Sequence, residues 1–350
     1  MASLKVLVLR WVGRLARRLV STRFGQALTA SVSAQGLPEL GEFVTDDGTR
    51  HVRFDGYRDR VVPRWRAMVE STESGPPSFD EAAASAAKRD IADVSLLLES
   101  HGASLTGLRV LEVGCHGGLH AFAMADAGAA SVLAIDVPEY GVRQAVGEDG
   151  SSDRLQAQSS TLSELRRVNA AEFRRSDTVH FLDLDVVEVT EEAAYDFVFS
   201  WETFEHLIDP RGALTAMARA LVVGGHAFHA YNPFFAHNGG HSLATLDFPY
   251  GHVVLSDSEF ARYVEEFRPS EASRAVAFHR SSLNRMTQSQ FREQAAATGF
   301  DIVEFLPWMT RKNLAAVDPQ TVQRAQKLHP SVVVADLAAA EVWVLLRKRA

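Results

Sequence analysis

From about residue 105 onward, short apolar runs alternate with stretches whose apolar positions recur at helical spacing. Residues 109–113 form an apolar run suited to a strand, residues 117–128 read as a helix, and residues 131–136 as a second strand, together a βαβ unit. Further strands are expected near 179–182 and at 195–200. Asp209 followed by Pro210 is an N-cap with proline at the first helical position, and Gly224 with Gly225 is expected to end that helix before a strand at 227–232. A helix over 290–298 stopped by Gly299, a strand at 301–305 and a last strand at 341–346 complete the pattern. This is an α/β fold with a seven-stranded sheet.

Residues 233–290 interrupt the alternation with aromatic, histidine-rich and arginine-rich sequence, which predicts an inserted cap over the site. Upstream, Ser78 with Glu81 has the capping-box spacing, and a helix is expected from Ala82 to Leu98, stopped by Gly102. Residues 37–77 are polar, with scattered glycine, proline and aspartate, and read as an irregular linker or a few short helices. Within residues 1–30, Leu4, Val8, Trp11, Val12, Leu15 and Leu19 share one helical face while Arg10, Arg14 and Arg17 share another. The expected organisation is an extension over 1–100, made of a basic amphipathic helix, linker and helix, followed by an α/β domain over 101–350.

Composition narrows the class. Of 350 residues, 46% are hydrophobic and 23% charged, the proportions of a soluble globular protein rather than a disordered or membrane-embedded one. A net charge of −8 opposes a broad grip on phosphate backbones, so no DNA partner is expected. The single cysteine, Cys115, excludes an intramolecular disulfide framework and fits a reducing cytoplasm. Arg10 and Arg14 interrupt the first apolar stretch, which argues against a secretory signal. Two readings of that helix stand: peripheral contact with an anionic membrane through residues 1–20, or docking on the protein's own surface.

The segment VLEVGCHGG follows a strand and opens a helix, where a glycine-rich turn lets a ligand approach backbone N–H groups. Glu112, just before the turn, would repel a pyrophosphate. A sulfonium and an ammonium suit it, with close backbone approach at Gly114 and Gly118. Asp136 ends the next strand, where a carboxylate can accept from both hydroxyls of a ribose. Cys115 reads as a small filler of the turn, since no base is paired with it.

On these residues the chain resembles the class I S-adenosylmethionine-dependent methyltransferases, whose first motif has an acidic residue followed by G-x-G-x-G. Here His116 stands at the middle glycine. The segments YDFVFSWETFEHLIDP and MARALVVGGHAF resemble that family's fourth and fifth motifs, and the resemblance covers about 105–232 and 290–346. It implies a Rossmann-like seven-stranded methyltransferase sheet. It also implies a cofactor site of Glu112, Gly114, Cys115, His116, Gly118, Asp136, Val137, Asp185 and Trp201, with Asp183 the alternative to Asp185 beside the adenine.

The end of the fourth core strand faces the ligand crevice, and it carries Trp201, Glu202, Glu205 and His206. The E-x-x-E-H spacing is similar to that of metal-dependent O-methyltransferases, including ubiquinone-pathway enzymes and RNA 3′-terminal 2′-O-methyltransferases. It implies a divalent ion on Glu202, Glu205, His206 and, from GHVVLSDSEF, His252. His206, Glu205, Glu202 and His241 are the catalytic candidates, His237 is an alternative, and Arg280, Asn284 and Arg285 are candidate acceptor contacts. The expected function is S-adenosylmethionine-dependent O-methylation of a small-molecule or carbohydrate-like hydroxyl. RNA 2′-O-methylation and a catalytically inactive cofactor-binding regulator are the alternatives.

Overall fold

The computed structural model describes residues 33–63, 65–66, 77–137 and 152–350, with residues 152–158 placed by their backbone alone. The basic helix expected within residues 1–30 lies outside the described residues. The described strands are, in chain order, β1 (Glu39–Val44), β2 (Arg50–Phe54), β3 (Arg109–Val113), β4 (Ser131–Asp136), β5 (Val179–Asp183), β6 (Tyr195–Trp201), β7 (Leu221–Tyr231), β8 (Phe300–Trp308) and β9 (Glu341–Lys348).

The last seven form one mixed sheet in the order β5-β4-β3-β6-β7-β9-β8. Neighbours from β5 through β4, β3 and β6 to β7 pair in parallel, and β9 runs antiparallel to both β7 and β8. In β3, Val110, Leu111 and Val113 are buried among residues of both faces, the condition under which a parallel strand reads as an unbroken apolar run. Chain order reverses at β3, which pairs with β4 on one side and β6 on the other, so a crevice opens at the carboxyl ends of these strands.

Helices cover both faces. Ile91, Val94 and Leu98 of the helix Glu81–Ser100 share a core with Phe122, Phe199 and Trp343. On the other face Leu214 and Met217 of Pro210–Ala220 pack with Phe291 of Gln288–Ala297. Asp209 caps the first of these as expected, accepting from the N–H of Gly212 at 2.8 Å.

Three local expectations are corrected. The helix Glu81–Ser100 is capped by Asp80, which accepts from Ala83, rather than by Ser78. Gly224 and Gly225 lie inside β7 instead of ending the preceding helix, which stops at Ala220; the register against β6 shifts there, with Gly224 at φ 77°. The polar stretch after residue 37 contains the β1–β2 hairpin. Only Phe43 among the six residues of β1 is buried, so no apolar alternation announces it.

Residues 233–290 carry a group of helices, termed the cap, around Phe234, Phe248, Tyr263 and Phe278. Its core also takes Phe43 from the hairpin and Ala325 and Leu337 from the segment before β9. Asp46 donates its N–H to Glu259 at 2.9 Å, Arg324 pairs with Asp47 at 2.9 Å, and Arg58 pairs with Glu271 at 3.0 Å, so distant segments lock onto the cap.

Candidate functional site

The glycine turn after β3 is built for close approach. Gly114 has φ 77°, and a Cβ there would collide with the side chain of Thr203 from the turn after β6. Gly118 has φ 78° at the start of the helix Leu119–Asp126, and a Cβ there would stand 2.5 Å from the ring of Phe181. Its glycine therefore serves packing as well as ligand approach. His116, at the family's middle-glycine position, takes φ 43°, so the backbone keeps the left-handed turn with a side chain present.

Asp136 fixes this turn. Its Oδ2 accepts the N–H of His116 at 2.5 Å and its Oδ1 the N–H of Val137 at 2.8 Å. Each oxygen retains acceptor capacity for a ribose hydroxyl. Glu112 is buried, and its Oε2 has no partner among the described residues. Burial first, and Asp136 second, push its carboxyl well above the ordinary carboxylate range. An orphaned acid at a strand end suits a cationic ligand group, which would restore its charge.

Arg166 was not singled out by the sequence, yet it is the brace of this turn. It donates to the carbonyl of His116 at 2.9 Å and to Asp183 at 3.3 Å, with its guanidinium 4.7 Å from the Phe181 ring centroid. Asp183 is therefore tied to the turn through Arg166. Asp185 instead caps its own short turn, accepting from Val187 at 3.1 Å. The Trp201 ring stacks on His120 at 5.3 Å beside the same turn.

At the end of β6 the chain turns sharply, with Glu202 at φ 48°, an uncommon conformation for a residue with a side chain. Beyond it Glu205, His206 and His241 converge, their ligand atoms all within 4.8 Å of one another. Glu205 is buried and accepts the N–H of Asn232 at 3.1 Å, and its second oxygen has no partner among the described residues. Burial raises its carboxyl to about 8, and Glu202 adds to the effect. His206 Nδ1 lies 2.7 Å from the carbonyl of Ser282, so Nδ1 carries the proton and Nε2 the lone pair. His241 Nε2 stands 3.8 Å from Glu205 Oε1. Burial depresses both histidines, His206 to about 4, and keeps them neutral.

Other sequence candidates lie elsewhere. His252 does not join the cluster: its Nε2 lies 2.9 Å from the carbonyl of Phe234 and 3.1 Å from that of Ala236, bracing the cap from within. Glu202 is exposed and outside the convergent set. His237 is buried with Nδ1 3.4 Å from the Asn313 amide nitrogen. Asn284 holds the turn after β6, donating to the carbonyls of Phe204 at 2.7 Å and Leu207 at 3.1 Å. Arg285 pairs with Asp257 at 2.7 Å, and Arg280 is exposed.

A glycine turn after β3, carboxylates closing β3 and β4, and a seven-stranded sheet with β9 reversed define a class I methyltransferase. A family profile described as a methyltransferase domain matches residues 79–305, well over half the chain. The chain belongs to that family, and its cofactor is S-adenosylmethionine. It is 30% identical over 131 residues to the ubiquinone biosynthesis O-methyltransferase of Idiomarina loihiensis, covering 37% of this chain and 45% of that protein. With the protein of the same name from Acinetobacter baylyi it shares 31% identity over 181 residues, 48% of this chain and 66% of the relative. The chain thus spans about half to two thirds of the length of these relatives. A solved S-adenosylmethionine-dependent methyltransferase from Mesorhizobium loti superposes with a TM-score of 0.41 at 14% identity, covering 72% of this chain and 96% of that one.

Proposed function

We propose that the chain transfers the methyl group of S-adenosylmethionine to the oxygen of a small-molecule hydroxyl, glycan hydroxyls included, and that Glu205, His206 and His241 activate that hydroxyl. The observation that carries this reading is the convergence of these three side chains within 4.8 Å at the end of β6. The relatives named for O-methylation in ubiquinone biosynthesis support oxygen as the atom methylated.

In this reading Glu112 takes the cofactor's cationic end and Asp136 its ribose, while the turn at Gly114 and Gly118 seats its backbone-facing edge. Methyl transfer from a sulfonium is an in-line displacement, so the protein must mainly align the acceptor and withdraw its proton. The lone pair on His206 Nε2, fixed by the bond to Ser282, is set to receive an acceptor hydroxyl. Glu205, with its proton affinity near neutrality, is matched to hold the proton released.

The same three residues fit a divalent ion. Two nitrogens and a carboxylate are a donor set of catalytic metal sites, and Glu205 Oε2 and His241 Nε2 are buried without partners among the described residues. An ion held there would lower the pKa of the acceptor hydroxyl and orient it. The fourth ligand implied by the RNA-enzyme likeness is missing, because His252 is engaged inside the cap.

The test is transfer from methyl-labelled S-adenosylmethionine to catechol, phenol and sugar acceptors, before and after chelation. Labelled O-methyl product that chelation abolishes and added manganese, magnesium or zinc restores is expected. Full turnover after chelation would reassign the three residues to acid–base work alone, and product methylated only on nitrogen or carbon would overturn the proposal. Peripheral membrane contact through residues 1–20 is a further proposal from sequence, tested by liposome flotation of the chain with and without them. Among the described residues no helix is long and apolar enough to cross a membrane.

A further inference from the structure

Beyond β7 the sheet carries a buried carboxyl that the reading above does not use. Glu341 opens β9 at the end of the sheet where the crevice lies, and it is only 3% exposed. Its Oε1 accepts the indole N–H of Trp343 at 2.5 Å, and its Oε2 has no partner among the described residues. The indole Nε1 of Trp308, paired across the strands with Glu341, is likewise buried without a partner. Two orphaned polar atoms at one place, one of them an acid, cost stability unless a ligand meets them.

The surroundings specify the ligand's charge. Trp343 forms a floor, 1% exposed, and the half-buried rings of Trp201 and Trp308 meet it edge-on at 5.5 Å and 66°, and 5.8 Å and 75°. Trp201 and Trp343 flank Ala230, which pairs with both in register and leaves the row without a bulky side chain between them. Asp90, Glu202 and Glu205 lie close enough for their charge to bear on Glu341. Among the described residues Glu341 has no ion pair with a basic side chain, and His120, stacked on Trp201, is already paired with Asp90 at 3.3 Å. Acidic oxygens beside indole faces are the recognition chemistry of an alkylammonium.

Position separates this place from the cofactor's. Steps from β3 to β6, β7 and β9 carry it roughly 14 Å across the sheet from the glycine turn, at the usual strand spacing. Trp201 and Glu202 lie between the two, at the point where the methyl group would be handed over. We propose that Glu341, with Trp201, Trp308 and Trp343, seats an alkylammonium group of the acceptor, so that the substrate carries a fixed cation as well as the hydroxyl to be methylated. This rests on the methyltransferase reading above.

The experiment titrates the full chain, loaded with S-adenosylhomocysteine, with choline and with its uncharged isostere 3,3-dimethylbutan-1-ol. Choline is expected to bind about tenfold more tightly. Glu341→Gln, which keeps an acceptor for Trp343, should bring the two to within about twofold while leaving S-adenosylhomocysteine affinity unchanged. Trp308→Leu on the half-buried wall should reduce the same preference, and serves as the second variant should Glu341→Gln not fold. Equal binding of the two probes by the wild type, or a preference that survives both variants, overturns the proposal. So does choline competing with S-adenosylhomocysteine, which would give the seat to the cofactor. Failure of the wild type to bind S-adenosylhomocysteine would overturn the underlying methyltransferase reading instead.

Discussion

His206 donates its Nδ1 proton to the carbonyl oxygen of Ser282 at 2.7 Å, so a backbone group of the cap sets which ring nitrogen faces the crevice. The tautomer, and with it the lone pair on Nε2, is a property of the cap's position.

Replacing His206 by alanine should therefore lower kcat by about 100-fold or more, because the group that receives the acceptor hydroxyl is gone. Affinity for S-adenosylhomocysteine should stay unchanged, since the cofactor turn is on another strand. Steady-state kinetics and calorimetry on one preparation check both halves, and an unchanged kcat would remove His206 from the reaction.

His116→Gly is expected to stabilise the chain by about 1 kcal/mol, because a left-handed φ of 43° costs a side-chain residue what glycine does not pay. The backbone N–H that bonds Asp136 is retained, so cofactor binding should persist. Urea unfolding gives the comparison. A lower midpoint would show that the imidazole makes a contact worth more than the strain.

Arg166 joins the turn at His116 to Asp183 on β5. Arg166→Ala should weaken S-adenosylhomocysteine binding by about tenfold, in keeping with the loss of a charged hydrogen bond that orders the site. Equal affinity of variant and wild type would make the brace irrelevant to the ligand.

Buried histidines make the fold acid-sensitive. Burial holds His229 and His252 down to about 3 and His279 to about 4. Their unfolded counterparts take up protons near pH ~6.5, so below that value the unfolded chain binds more protons than the native one. With His206, His237 and His241 depressed in the same way, these imidazoles outnumber the raised carboxyls Glu112, Glu205 and Glu341, which act in the opposite sense, so stability rises with pH across this window and falls as pH drops from ~6.5 towards ~4. Urea midpoints between about pH 7 and about pH 5 should decline steadily; a flat midpoint would contradict the assignment of these imidazoles as neutral.

How much of this was legible in the sequence follows from how local each feature is. β3 runs straight into the glycine turn, and β3 and β4 carry buried residues on both faces, so apolar runs punctuated by glycine and ended by Asp136 disclosed them. Glu205 and His206 were picked out by the E-x-x-E-H spacing after a strand, and His241 stood among the candidates. His252 misled because its sequence context offers a ligand, whereas its partners are the carbonyls of Phe234 and Ala236, which only the folded cap brings to it. Arg166 sits in a polar helix with no periodic cue, and its partners on the turn and on β5 are distant in sequence. Glu341 read as the first residue of a strand, and the indoles around it come from its own strand and from two distant ones, β6 and β8.

The central claim, an S-adenosylmethionine site organised by Asp136, is tested most directly by calorimetric titration of the wild type and Asp136→Ala with S-adenosylhomocysteine. Asp136 orders the turn through His116 and Val137 and supplies the ribose acceptor, so its loss should cost about 100-fold in affinity while circular dichroism remains native. Saturable binding by the wild type with that loss in the variant is the predicted result. No binding by the wild type, or equal affinity in the two, would contradict it.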